Sequence, residues 1–340
     1  MSNCAIFSSQ NNKMKWLYLA GWLFLLATAI LSLGLGSTWL PISDMVDGIR
    51  EGFHYSAGTR IFGYVRLPRL LASLSCGAAL AVAGCVIQGT LRNPLASPSI
   101  IGVNAGAGLA VTLCTALGIL GGWQISLFAF LGAFGAVGLV SLGAKRWGAS
   151  RSTVILMGVA MNSLLGAVSS AVTTFLPEVG VMSNDFKIGA FSSVTYPRLL
   201  PAVVLIAVAI AVLRTAHNQL DVLTLGEETA RGLGMNTGKM RMVFLLLAAL
   251  LAGCAVSLAG LLSFVGLLVP HAIRRIAGSK SSHLIGLSGL YGAGFVCLCD
   301  TVARTLFAPY EIPVGIIMAF LGAPFFVFIL IKGKGGHKYD

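Results

Sequence analysis

The chain has 340 residues, of which 56% are hydrophobic and only 10% charged, and a formal net charge of +12. Soluble globular domains carry about a quarter charged residues, so this composition excludes that class and points to a chain immersed in lipid. The 23 basic residues form short clusters between apolar runs rather than one block, which speaks against nucleic acid and for loops flanking membrane spans.

A helix needs about 20 apolar residues to cross a bilayer core, and nine runs approach that length. They are 16–36, 70–90, 99–119, 124–143, 153–176, 199–214, 241–262, 283–303 and 312–331. The first has no clear small-residue cleavage site after it and reads as a membrane helix rather than a signal peptide. A further short run, 263–277, is interrupted by Pro270 and closed by Arg274 and Arg275. Lysines at both ends (Lys13 and Lys15; Lys332, Lys334 and Lys338) place both termini in the cytoplasm, which requires an even number of crossings. Counting the short run gives ten, an all-α polytopic membrane domain over residues 1–340. In that arrangement the outer segments hold as many acidic residues as basic ones, and the whole net charge falls on the cytoplasmic side.

Six of the seven cysteines lie inside apolar runs, and Cys4 is near the amino terminus; they read as small hydrophobes rather than metal ligands or disulfides. The glycine groups 102/106/108, 132/135/138 and 289/292/294 read as close-packing positions between membrane helices.

Three polar segments depart from plain spans and loops. Arg66-Leu67-Pro68-Arg69 stands at the outer mouth before the second span, at the surface or against protein, either as an interfacial anchor or as a pair of forks for external carboxylates. Gln88, Arg92, Asn93 and Pro94 close the second span at its inner end, with Asn104 early in the third; these polar groups either line a path or join helices. The stretch from His217 to Arg241 is the longest inner loop, a coupling segment of about 215–240. In it Glu227 and Glu228 precede Arg231 at helical spacing, and Gly232 and Gly234 can end the short helix. That helix is either a knob for a soluble partner or an inert connector. Asp300 and Arg304 form an i,i+4 pair, structural or gating rather than a proton relay. No phosphate-cradling glycine loop and no zinc-protease spacing occurs, so the chain reads as a non-enzyme.

At these same places the chain resembles the FecCD family of ABC transporter permeases, importers of ferric siderophores, haem and vitamin B12. The matching strings are Arg66-Leu67-Pro68-Arg69, Asn93-Pro94-Leu95-Ala96-Ser97-Pro98, Gly102-Val103-Asn104-Ala105-Gly106-Ala107, and Leu225-Gly226-Glu227 through Ala230 with Leu233-Gly234. They continue with Phe264 to His271, Asp300 to Arg304, Pro313-Val314-Gly315 and Gly322 to Phe326. The resemblance implies the type II importer fold with ten helices. It implies binding-protein docking by Arg66, Arg69 and Arg304, and ATPase coupling by Leu225, Gly226, Glu227, Glu228, Ala230, Arg231 and Gly234. A translocation path or gate is expected at Gln88, Asn93, Pro94, Asn104 and Asp300. The implied partners are two ATPase subunits, a periplasmic or lipid-anchored substrate-binding protein and a second permease, identical or paralogous. No cofactor is expected on this chain, ATP and Mg being used by the partner ATPase. Ser97 stands where many relatives have Asp, and Phe186-Lys187-Ile188-Gly189 where a Trp-xx-Gly string is common; both bear on the cargo. A ferric siderophore is the expected cargo, with haem and cobalamin as alternatives. An ion-coupled secondary transporter and a non-transporting scaffold are the rival classes.

Overall fold

The computed structural model describes residues 2–36, 38, 40–146 and 150–333, with side-chain surroundings for these apart from residues 2–11 and 328–333. Lys334, Lys338 and Asp340 lie outside the described residues, as do the side chains of Cys4 and Lys332.

Helix α1 (Ser2–Gly34) is followed on the outer side by α2 (Ile42–Arg50) and α3 (Ala57–Ile61), and a π-helical turn, Phe62–Arg66, runs without a break into α4 (Leu67–Leu91). Then come α5 (Val103–Ala116), α6 (Gly122–Arg146), α7 (Arg151–Phe175), the short α8 (Pro177–Met182) and α9 (Asn184–Ile188), and α10 (Tyr196–Thr215). Helices α11 (His217–Leu225) and α12 (Glu227–Gly232) form the long inner loop, and α13 (Thr237–Ala259), α14 (Val265–Ala277), α15 (Ser281–Thr305) and α16 (Val314–Gly333) complete the order. Seven of the described helices are long and apolar enough to cross a membrane, and the apolar stretches Val103–Ala116 and Val314–Val327 are shorter. With α14, these supply the ten crossings that the charge parity requires.

Helix α4 is the axis of the bundle, packed against α13, α14 and α15. Backbones approach where neither helix carries a side chain. A Cβ on Gly77 would overlap the carbonyl of Gly292 on α15, one on Gly84 the carbonyl of Gly266 on α14, and one on Gly106 the carbonyl of Gly132 on α6. Lipid offers no hydrophobic drive between helices, so this close van der Waals contact carries the association. Gly135 and Gly138, by contrast, face open space and contribute nothing of the kind.

Two boundaries differ from the sequence reading. The span expected from residue 99 begins at Val103, because Asn93 to Gly102 is a series of turns in which Ala96 N–H donates to Asn93 O and Ile100 N–H to Ser97 O. The short run is not interrupted at Pro270, which sits inside a continuous α14. Proline leaves the carbonyl four residues earlier without its helical donor. That carbonyl belongs to Gly266, and Gln88 Nε2 on α4 donates to it at 3.0 Å. The side chain of a neighbouring helix thus repairs the ladder, as the absence of water in a membrane interior demands.

Candidate functional site

The outer ends of three helices meet at an arginine knot. Arg69, in the first turn of α4, donates from Nε to Asp300 Oδ2 (2.9 Å) and Oδ1 (3.1 Å), and from Nη2 to Oδ1 (2.9 Å). Its Nη1 reaches Glu311 at 2.7 Å. Arg304, one turn after Asp300 on α15, donates to the carbonyl and hydroxyl of Ser32, and Arg66 donates to the carbonyls of Leu33, Gly34 and Thr38. The last carbonyls of a helix have no intrahelical donor, and the C-terminal end of the dipole favours cations, so α1 offers these guanidiniums a ready acceptor set.

Of the two expected placements, at the surface or against protein, the arginines take the second: Arg66, Arg69 and Arg304 are only 3%, 6% and 3% exposed. They are not free forks, because three buried guanidiniums in a membrane protein must be satisfied from within the chain. Asp300 is fully buried in the same knot and Gln88 is buried beneath α14, bonded to Gly266 and to Arg274. Gln88 also lines a cavity of about 260 Å³ with Arg92, Asn93, Pro94 and Arg274, whereas Asp300 is enclosed within the knot. Glu311 went unnoticed in the sequence; the signal for it was a set of buried outer arginines with too few acids nearby.

Among the remaining path candidates, Asn93 caps its own turn, its Oδ1 accepting from Leu95 N–H at 2.9 Å, and Pro94 lies exposed beside it. Asn104 does face a large groove, of about 630 Å³, between α5 and α7. Ser99, Gly108, Asn162, Gly166, Ser169 and Ser170 also line it, and Lys187 stands at its edge as the one cation of the lining. Asn104 donates to Ser99 Oγ at 2.6 Å, while Asn162 donates to the carbonyls of Ser99 and Ile100 at 2.9 and 3.1 Å. The polar stripe of α7 was missed, although Asn162, Gly166, Ser169 and Ser170 recur at i, i+4, i+7 and i+8 in an otherwise apolar span, the spacing of one helix face.

The inner loop carries its charges in a fixed frame. Gly226 separates α11 from α12 at φ 134°, a conformation that L side chains rarely adopt. Glu227 then receives Arg231 at 2.8 Å and Arg241 of α13 at 3.1 Å. Burial pushes the Glu227 carboxyl up, but the hydrogen bond from Arg241 and the charges of Arg241, Arg231 and Arg151 outweigh it and hold the group below the usual carboxylate range. Ala230 is buried beneath the helix, and Gly234 and Met235 N–H groups close its end on Arg231 O and Ala230 O. Outward stand Glu228, and Leu225 and Leu233 at 61% and 65% exposure.

This multi-pass, all-α bundle has the fold of a permease of the ATP-binding-cassette importer class, type II. The sequence comparisons agree: residues 24–332 match the model of the FecCD transport family, and the chain belongs to that family. It is 34% identical to the Fe(3+)-citrate import system permease protein YfmD of Bacillus subtilis, over 92% of this chain and 95% of that protein. It is 33% identical to the vitamin B12 import system permease protein BtuC of Salmonella paratyphi A, over 95% and 97%. A solved inward-facing ABC transporter assigned to the metal-chelate type superposes with a TM-score of 0.81 at 30% identity, covering 94% of this chain and 99% of that one. FecCD-type permeases work with ABC ATPases and substrate-binding proteins, and the chain is a multi-pass membrane protein.

Proposed function

We propose that this chain is the permease of a ferric-siderophore importer, working by alternating access in a complex of two permeases and two ATPases. The observation that carries the reading is the rigid cytoplasmic helix α12, tied to α13 through Glu227 and Arg241 with Leu225 and Leu233 left outward. Closure of an ATPase pair on that helix is transmitted to α13, and so to the bundle, as a rigid shift. Loops rich in arginine and lysine support a cytoplasmic position for both termini. Exposed Leu164 and Phe175 on α7 and Phe320 on α16 offer faces for a second permease, identical or paralogous.

The cargo path runs along the groove between α5 and α7, lined by small and polar side chains around Asn104, while Asn93 and Pro94 line a separate cavity with Gln88 and Arg92. Such a lining guides a bulky chelate by shape and does not grip it by charge. Relatives named for Fe(3+)-citrate and vitamin B12 set the range of cargoes, with haem as a further alternative. Docking of the binding protein at Arg66, Arg69 and Arg304 takes a modified form. The knot holds three cations against Asp300 and Glu311, and that excess positive charge attracts the carboxylates of an arriving binding protein at long range, without a direct fork to any of the three buried guanidiniums.

The test is uptake of iron-55 siderophores by cells lacking only this gene, with labelled haem and cobalamin in parallel. Loss of ferric-siderophore uptake, restored by the wild-type chain but not by Leu233→Asp, supports the reading. Unchanged uptake of the siderophore with loss of haem or cobalamin uptake transfers the function to that cargo.

A further inference from the structure

Beneath the coupling helix, positive charge exceeds negative in a way the coupling function does not require. Arg92 ends α4 in a left-handed conformation (φ 48°), and its Nη1 lies 3.5 Å from where a Cβ on Gly226 would stand. Arg151 opens α7 within Coulomb range of Arg92, Arg241 and Glu227. Arg241, 3% exposed, spends only Nη2, on Glu227. Arg231 and Arg241 bond Glu227, Arg151 lies within Coulomb range of it and Arg92 within range of Arg151, and Glu228 makes no ion pair among the described residues.

The deficit is sharpest in the hydrogen bonds. Nε and Nη1 of Arg241 and Nε and Nη2 of Arg151 are buried without any acceptor among the described residues. A charged donor shut away from water with no acceptor costs several kcal/mol in general, and neighbouring cations add their repulsion. Two arginines on different helices sharing this deficit call for one anion between them. A tetrahedral oxyanion, with several acceptor oxygens and a delocalised charge, matches guanidinium forks better than a monatomic ion does. The level matters too: Arg92 closes a span, Arg151 opens one and Arg241 lies in the first turns of a third, so the site sits where lipid phosphates lie.

We propose that Arg92, Arg151 and Arg241 form a phosphate-binding site at the cytoplasmic membrane boundary, taking the phosphate of an anionic lipid headgroup or free inorganic phosphate. Occupancy neutralises the cluster and fixes α12 against α7 and α13.

The experiment uses the full chain in nanodiscs of neutral phosphatidylcholine and follows its melting temperature. Sodium phosphate is titrated at constant ionic strength, and in a second arm phosphatidylglycerol replaces part of the lipid. A saturable rise with phosphate identifies the free anion; a rise only with phosphatidylglycerol identifies the headgroup. In either case Arg151→Gln moves the half-saturation point about tenfold higher, as loss of one charged hydrogen-bonding partner predicts. Arg92→Gln, a change at an exposed side chain, gives the same displacement and serves if Arg151→Gln does not fold. No rise in either arm, or an equal rise in the variants, overturns the proposal. So does stabilisation that appears only with the ATPase subunit, because the acceptor is then a carboxylate of that protein.

Discussion

Replacing Gln88 by Leu removes two bonds from the buried contact between α4 and α14. Nε2 no longer donates to Gly266 O, leaving a buried carbonyl without a donor because Pro270 cannot supply one; this costs about 1–3 kcal/mol. Oε1 no longer accepts from Arg274 Nη1, a charged bond of 3.0 Å that contributes about 1.5–3 kcal/mol. Gln88→Leu should therefore destabilise the fold by about 2.5–6 kcal/mol, read from reversible unfolding in mixed detergent micelles. Pro270→Ala restores a backbone donor for the same carbonyl. In that background the cost of Gln88→Leu should fall by about 1–2 kcal/mol, since only the Arg274 bond remains to be lost. A double-mutant cycle measures that difference. Strictly additive costs would refute the account of Gln88 as the repair of a proline gap. A stable Gln88→Leu protein with altered cargo selection would return the residue to the translocation path.

Asp300→Ala leaves Arg69 and Arg304 buried beside too little negative charge and should cost about 3–5 kcal/mol, whereas Arg69→Met with Asp300→Leu should recover most of it; thermal unfolding of the single and double variants decides. Gly84→Ala forces a methyl into the carbonyl of Gly266 and should abolish folded protein in membranes, while Gly135→Ala, facing open space, should express normally. Leu225→Asp or Leu233→Asp should weaken ATPase association about tenfold or more without changing the melting temperature, as both side chains are exposed in the isolated chain. The depressed Glu227 carboxyl makes its ion cluster fully effective above the ordinary carboxylate value of about 4.3, and the contribution is lost as pH falls through the lower folded value. ATPase association should therefore be flat from neutral pH down to about pH 5, and Glu227→Gln should lower it across that whole range.

How much of this was legible in the sequence follows from the reach of each interaction. Spans and orientation are local quantities: an apolar run of the right length, and lysines or arginines beside it, mean the same thing wherever the chain goes. The short helix α12 was legible for the same reason, since Glu227 and Arg231 lie one turn apart and form the expected pair at 2.8 Å. The Asn104 groove was half visible, as its α7 face could be read from spacing alone but its meeting with α5 could not. For the arginine knot the sequence left open whether the charges lie at the surface or against protein. The sequence shows Arg66 and Arg69 as charges at a span's mouth, and nothing local says that Asp300, Glu311 and the end of α1 close over them.

The sequence by itself determined that this is an all-α, multi-pass membrane protein, because hydropathy acts on each segment independently. Only the tertiary structure decided which polar groups remain available for function. A buried donor or acceptor is spent by whichever partner packing brings to it, and Gln88 and Asp300 found theirs on helices far away in the chain, whereas Leu233 and Asn104 were left facing outward.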